Sequence, residues 1–132
     1  MKIITYFIAV VLSLFTFKSS IAGDNYPVVF TCKTPKHLIL IDLKSTNNYR
    51  YRAWNAPTNT SLIPNVEVMN GRMTYEGTGV CGSKFYSFKT RNVEYSLDDS
   101  VKCTEEISPK GAIGNLYVSI DGQEKNHYYC FH

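Results

Sequence analysis

Beyond residue 22, short runs of alternating apolar and polar residues are separated by turn-forming residues. No window in this part of the sequence has an apolar stripe with the 3.6-residue period of an amphipathic helix. The pattern predicts an all-β domain of antiparallel strands, either a small barrel or a sandwich. The predicted strands are residues 27–33, 37–43, 48–54, 65–69, 72–76, 83–89, 93–98, 115–120 and 123–131.

The first 22 residues have the layout of a cleaved secretory signal peptide. Lys2 gives a positive start, an apolar run extends from Ile3 to Phe17, and small residues end the segment at Ala22. The apolar run of about 15 residues is shorter than the ~20 residues that a membrane-spanning helix needs, although a retained anchor is the alternative. We therefore predict a signal peptide over residues 1–22 and a single β domain over residues 23–132. We expect a periplasmic or secreted protein without stable membrane insertion after cleavage.

Net charge limits the classes of partner. The signal peptide carries two of the 14 basic residues and none of the 11 acidic residues, so the remaining chain is close to neutral. A near-neutral domain lacks the positive field that nucleic acid requires. We therefore predict a protein partner and no nucleic-acid partner.

The four cysteines, Cys32, Cys81, Cys103 and Cys130, predict two disulfides, because an even number of cysteines in an exported protein usually pairs. Zinc ligation is the alternative, but zinc ligands usually come in close pairs such as C-x-x-C, which this sequence lacks. We predict neither a metal nor a cofactor.

Hairpin turns suggest how the cysteines pair. Asn70-Gly71 and Asp121-Gly122 both suit type I′ turns, and a weaker turn falls at Arg91-Asn92. If Thr90 opposes Val93, the ladder continues until Cys81 lies within one residue of Cys103, which is close enough for a bond. We therefore predict a Cys81–Cys103 disulfide and, by elimination, a Cys32–Cys130 disulfide.

The sequence carries no assembled catalytic pattern. The three histidines, His37, His127 and His132, do not lie near a nucleophile in sequence, and no nucleophile elbow, phosphate loop or H-E-x-x-H motif is present. Asp98-Asp99 is interpreted as a solvated strand end. We therefore predict that the protein is not an enzyme, although two carboxylates on distant strands remain an alternative.

One predicted strand, residues 48–54, has an unusual face. Alternation places Arg50, Arg52 and Trp54 on one side, opposite Tyr49 and Tyr51. Two guanidinium groups beside an indole could bind carboxylates, phosphates or sugars. The alternative is a packed tyrosine face with arginine stems that cover the tryptophan.

A glycine-rich segment follows the next predicted strands. Gly77, Gly79 and Gly82 allow a tight exposed loop around Thr78, which could insert into a partner's cleft. A bulged corner held by Cys81 is the structural alternative.

The order of these features resembles a known family. Phe30-Thr31-Cys32 is followed by paired strands, the glycine loop, an aromatic strand that ends at Lys89, and Cys103. Over residues 30–103, this order and spacing resembles the periplasmic and membrane-bound inhibitors of C-type lysozyme, which are small exported β-barrels. In that family a loop serine and a lysine enter the lysozyme active site. Lys89 stands at the position of the lysine, and Glu76 stands where the family has serine.

The resemblance implies a small exported protein that inhibits a lysozyme-type cell-wall hydrolase. Lys89 and Thr78, with Gly77 and Gly79, would enter the acidic cleft of the target, and the two arginines would form a basic rim. Two alternatives remain at this point. One is an immunity protein against an exported toxin, and the other is a carbohydrate-binding module that uses Trp54 and the tyrosines.

Overall fold

The computed structural model describes residues 25–101 and 103–132, so the predicted signal peptide lies outside the described residues. Apart from a short 3-10 helix, the elements in the described ranges are strands. The strands are β1 (Val28–Lys33), β2 (His37–Ser45), β3 (Asn48–Asn55), β4 (Val66–Glu76), β5 (Ser83–Thr90), β6 (Val93–Asp98), β7 (Gly114–Ile120) and β8 (Gln123–Cys130).

The strands form one continuous eight-stranded antiparallel sheet in sequence order, and this sheet curls until its two ends meet. At the seam, Lys33 and Phe131 exchange two backbone hydrogen bonds, of 3.0 and 2.9 Å. The Cys32–Cys130 disulfide joins the same two chain segments. The prediction of an all-β antiparallel fold with two disulfides is confirmed, and the sheet is a curled, barrel-like one rather than a two-sheet sandwich.

The predicted hairpin at Asn70-Gly71 is wrong, because β4 runs through both residues without reversing. Its first half pairs with β3 and its second half pairs with β5. Between the pairs Tyr51–Val68 and Tyr49–Gly71, β4 contains one extra residue, and Asn70 has a φ of 60°. The positive φ that suggested a turn instead produces a bulge, which bends the strand and helps the sheet to curl.

The other two predicted hairpins are confirmed. Thr90 opposes Val93, with Arg91 at a φ of 52°. Ile120 opposes Gln123 across Asp121 and Gly122, and both turn residues have positive φ. The first turn fixes which side chains of β5 and β6 point to the concave side, whereas a bulge on β8 shifts the register beyond the second turn.

Aromatic rings fill the concave side of the sheet. The Tyr86 ring on β5 lies 5.9 Å from the Phe30 ring on β1 and 5.2 Å from the Tyr49 ring on β3. Tyr51 contacts the Phe88 ring in the same way, at 5.5 Å. Because these pairs connect strands that are distant in the sheet order, the interior packing holds the sheet in its curled form.

Candidate functional site

The glycine loop between β4 and β5 is the most distinctive exposed segment. Gly77 and Gly79 have φ values of 83° and 59°, which residues other than glycine rarely adopt. Residues Gly79–Cys81 form the 3-10 helix. The predicted Cys81–Cys103 disulfide is present and ties the loop to the segment that follows β6. The loop therefore projects from the sheet and is covalently held, while Val80 at its tip remains 85% exposed.

A cleft of about 330 Å³ lies against this loop, and we call it the glycine-loop cleft. The loop forms one side, and Asp99, Ser100, Cys103 and Thr104 form the other. Its ionisable lining groups among the described residues are the acidic side chains of Glu76 and Asp99. The described part of the cleft therefore presents negative charge to a partner.

Lys89 does not lie beside the glycine loop. It is at the opposite end of β5, six residues beyond Ser83, so the rise of an extended strand separates it from the loop by roughly 20 Å. Its cross-strand neighbour is Glu94 on β6. Thr78, Gly77 and Gly79 thus share one exposed loop, whereas Lys89 belongs to a separate surface near the β5–β6 turn.

The two arginines on β3 bind the same carboxylate, Asp42 on β2. Asp42 Oδ2 accepts hydrogen bonds from Nε of Arg50 over 2.8 Å and from Nε of Arg52 over 2.6 Å. The Asp42 side chain is fully buried beneath them, and the Arg50 guanidinium also lies over the Tyr26 ring. These guanidinium groups therefore have a structural partner within the fold.

Trp54 is buried rather than displayed. Its side chain is only 3% exposed, its indole N–H donates to the carbonyl of Leu62, and the Arg52 guanidinium covers its ring at 5.1 Å. Tyr49 and Tyr51 face the core on the opposite side of β3. Of the two interpretations of this strand, the structure therefore has the packed one, and the indole is not available as a stacking platform for sugars.

A polar chain on the outer face of β6, β7 and β8 was missed by the sequence analysis. Asp98 Oδ1 accepts a 2.8 Å hydrogen bond from the Asn115 amide nitrogen, and the Asn115 amide oxygen lies 2.8 Å from Nε2 of His127. Because Asp98 is only 5% exposed, the interpretation of this residue as a solvated strand end is wrong. Because the amide oxygen of Asn115 can only accept, Nε2 of His127 is the donor of this bond.

Aromatic rings hold the His127 imidazole in place on this face. The Tyr117 ring stacks on it at 4.5 Å, and the Tyr129 ring meets it edge-on at 4.7 Å. Burial, with Asp98 and nearby acidic groups, raises the pKa of Tyr117 above its usual value. Among the described residues, no group of three or more His, Cys, Asp or Glu side chains could hold a metal ion. The two tyrosine rings therefore hold the His127 imidazole in one orientation, and the described residues place no cluster of metal ligands around it.

Comparison with family models, with curated proteins and with solved structures finds no match to this chain. Within the described ranges, no helix is long and apolar enough to cross a membrane. Both disulfides fit a protein that works in an oxidising compartment.

Proposed function

We propose that this protein is an exported binding protein that inhibits a lysozyme-type cell-wall hydrolase, and that the glycine loop is its contact surface. The observation that carries the proposal is the exposed Val80 side chain on a loop that the Cys81–Cys103 disulfide holds. A loop that is already ordered loses little conformational entropy when it binds, which favours affinity. Export to the periplasm or the exterior is part of the proposal.

A second exposed apolar side chain lies on the segment that the Cys81–Cys103 disulfide ties to the loop. Ile107, on the segment that follows Cys103, is 96% exposed. Exposed apolar groups near a disulfide-bound loop are suited to form the desolvated centre of an interface, while polar groups form its rim.

The charges of the cleft refine the proposal. Glu76 and Asp99 would be repelled by the catalytic carboxylates of a lysozyme, because juxtaposed like charges are costly in an interface. We therefore propose that the loop contacts basic or apolar groups beside the hydrolase cleft. Lys89, on its separate surface, would act only if the partner also reaches that end of β5.

The test is retention of C-type, G-type and I-type lysozymes on a column that carries the oxidised mature domain, residues 23–132. We expect one lysozyme to be retained and to lose activity on mixing. Val80→Asp should abolish retention, because it places a charge at the centre of the contact.

Ile63→Asp is the matched control, because Ile63 is 90% exposed on a different loop and its replacement should leave retention unchanged. Lys89→Ala tests the second surface separately. If no lysozyme is retained, the proposed target is wrong. If a lysozyme is retained but Val80→Asp binds it as well as the natural chain does, the assignment of the contact surface is wrong.

A further inference from the structure

Two serines on the outer face of the sheet leave a gap in its layer of side chains. Ser87 on β5 pairs with Ser96 on β6, and Ser96 pairs with Tyr117 on β7. Their neighbours along each strand, Tyr86 and Leu97, belong to the core, so alternation directs the two serines outward. A depression of about 230 Å³, lined by both serines, lies at this place, and we call it the serine trough.

Aromatic rings form two walls of the serine trough. Phe85 and Tyr117 lie on the same face as the serines, line the trough and are half-buried. One face of the Tyr117 ring stacks on His127 of β8, with an angle of 7° between the two planes, so its opposite face is directed towards β6. The cross-strand neighbour on that side is Ser96, whose side chain is too short to cover a tyrosine ring. The trough therefore offers an aromatic face on which a flat apolar group can stack.

The floor of the serine trough presents hydrogen-bond acceptors. Ser87 Oγ and Ser96 Oγ donate to Oε1 of Glu94 over 3.2 and 3.5 Å. Each hydroxyl oxygen retains lone pairs that can accept from a ligand. A ligand with several hydroxyl groups supplies the donors that this floor requires.

The charged residues that line the serine trough have opposite signs. Asp98 is buried, and its Oδ1 accepts a hydrogen bond from the Asn115 amide. Arg72 is exposed and donates to the Asn47 carbonyl through Nη1, and its guanidinium has further N–H groups that can donate to a ligand oxygen. A cation would meet the arginine and an anion would meet the aspartate, so the lining favours an uncharged ligand.

The strands beneath the serine trough are paired on both sides. β5 lies between β4 and β6, and β6 lies between β5 and β7, in antiparallel ladders. Strand addition, a common way to bind an extended peptide, needs the unpaired backbone groups of a sheet edge. A ligand of the trough is therefore bound by side chains.

Volume limits the part of the ligand that enters the serine trough to one ring. A buried apolar cavity of about 150 Å³ holds benzene, and sites for drug-sized ligands begin at about 300 Å³. The trough lies between these two values. A sugar ring combines an apolar face of C–H groups with hydroxyl groups at its edge, so it can stack on Tyr117 and donate to the serines at the same time.

We propose that the serine trough binds one ring of a neutral saccharide, whose apolar face stacks on Tyr117 and whose hydroxyl groups bond Ser87 and Ser96. Among their described lining residues, the trough and the glycine-loop cleft share Phe85 alone. Occupancy of the trough therefore does not depend on the proposed inhibitor function.

The test is a titration of the oxidised mature domain, followed by amide chemical shifts. The probes are the methyl glycosides of glucose, galactose and N-acetylglucosamine, with glucuronate, the ammonium form of glucosamine and cyclohexanol as comparisons. At least one methyl glycoside should produce saturable shifts at the residues of β5, β6 and β7 that line the trough. Cyclohexanol, a six-membered ring with one hydroxyl group, should bind about tenfold more weakly, and both charged sugars should bind more weakly than the neutral one.

Variants of the trough test the individual contacts. Tyr117→Ala should lower the affinity about fivefold, the effect of one lost stacking contact, whereas Tyr117→Phe keeps the ring and should bind as the natural chain does. Ser96→Leu should fill the trough and abolish binding. Thr31→Leu is the matched control, because Thr31 points outward on β1 and lies outside the trough, and its replacement should leave binding unchanged.

The natural chain alone can overturn the proposal. Absence of saturable shifts with all three methyl glycosides would do so, as would equal binding of glucuronate or shifts confined to β1–β3. Unchanged affinity in Tyr117→Ala would also contradict it.

Discussion

Arg52 and Asp42 form a two-point ion pair on the outer side of the sheet. The Nε atom of Arg52 donates to Oδ2 of Asp42 over 2.6 Å, and Nη2 donates to Oδ1 over 2.8 Å. Arg50 shares Oδ2, so a single buried carboxylate satisfies groups of two arginines. This arrangement accounts for the alternating residues of β3. The tyrosines pack in the core on one side of the strand, and the arginines bind Asp42 on the other side.

Replacing Asp42 with alanine should strongly destabilise the fold. The change leaves two guanidinium groups without their carboxylate, and breaking a buried pair costs about 3–5 kcal/mol of the free energy of unfolding. Urea denaturation followed by tryptophan fluorescence measures the loss, since Trp54 lies beside the cluster. Asp121→Asn, which removes a carboxylate from an exposed turn, is the control and should change the free energy by less than ~0.5 kcal/mol. A small effect of Asp42→Ala would show that the arginines find other partners.

Replacing Gly71 with alanine should destabilise the bend of β4. An added Cβ would overlap the Phe88 ring, which packs directly on the Gly71 backbone. Overpacking of this kind costs about 1–3 kcal/mol. The double variant with Phe88→Leu should recover part of the Gly71→Ala loss relative to Phe88→Leu alone, so a double-mutant cycle by thermal unfolding checks the contact. Strictly additive effects would contradict it.

The two disulfides should differ in what they contribute. Cys32 and Cys130 are 98 residues apart, and Cys81 and Cys103 are 22 residues apart. On the chain-entropy account, removing the first pair by serine substitution costs about 4–5 kcal/mol, and removing the second costs about 3 kcal/mol. The order should reverse for partner binding, because only the shorter bridge holds the glycine loop. Denaturation and lysozyme retention on the two double-serine variants check both statements, and equal losses in both assays would contradict them.

Stability should fall between pH 10 and pH 12 because of the buried tyrosines. Burial, with Tyr49 and Asp99 nearby, raises the pKa of Tyr86 to about 12, and burial also raises that of Tyr51. An unfolded tyrosine ionises near pH 10, so above that pH the unfolded chain releases the proton that the folded chain keeps, and the free energy of unfolding decreases. Below pH 10 both states are protonated, and this contribution is constant.

The check is the free energy of unfolding measured at several pH values from 9 to 12. Tyr86→Phe should make the decrease shallower, because one group no longer ionises on unfolding. Tyr75→Phe, at an exposed position, is the control and should leave the slope unchanged. An unchanged slope in Tyr86→Phe would contradict the assignment.

Local patterns were sufficient for most of the fold. Two-residue turns in the sequence correctly predicted the β5–β6 and β7–β8 hairpins. Extending the strand pairing of the β5–β6 hairpin predicted the Cys81–Cys103 disulfide. Asn70-Gly71 has the same turn-forming composition, but its role depends on the neighbours of β4. The first half of β4 pairs with β3 and the second half pairs with β5, and a short-range pattern does not contain that information.

The polar chain on β6–β8 was hidden by a shift of register. Counting back from the Asp121-Gly122 turn places Tyr117 opposite Asn126, but a bulge on β8 places it opposite His127. One extra residue exchanges the two faces of a strand, so the contact between His127 and Asn115 could not be deduced from the turn alone. The burial of Trp54 could not be predicted from the alternating pattern of β3 either. The groups that contact its indole are the Leu62 carbonyl, from a loop, and the Arg52 guanidinium.

The seam between β1 and β8 protects the two edge strands of the sheet from pairing with other chains, and part of that protection depends on the disulfide. Seven strand pairs form ladders, but the join at Lys33 and Phe131 is a single bridge beside one disulfide. Reduction removes the covalent part of that join. Two backbone hydrogen bonds then hold the join, and if they open, β1 and β8 become free edges that can pair with strands of other chains. Such edges are templates for aggregation. The Cys32–Cys130 disulfide therefore protects these two edges from pairing with other chains, in addition to closing the sheet.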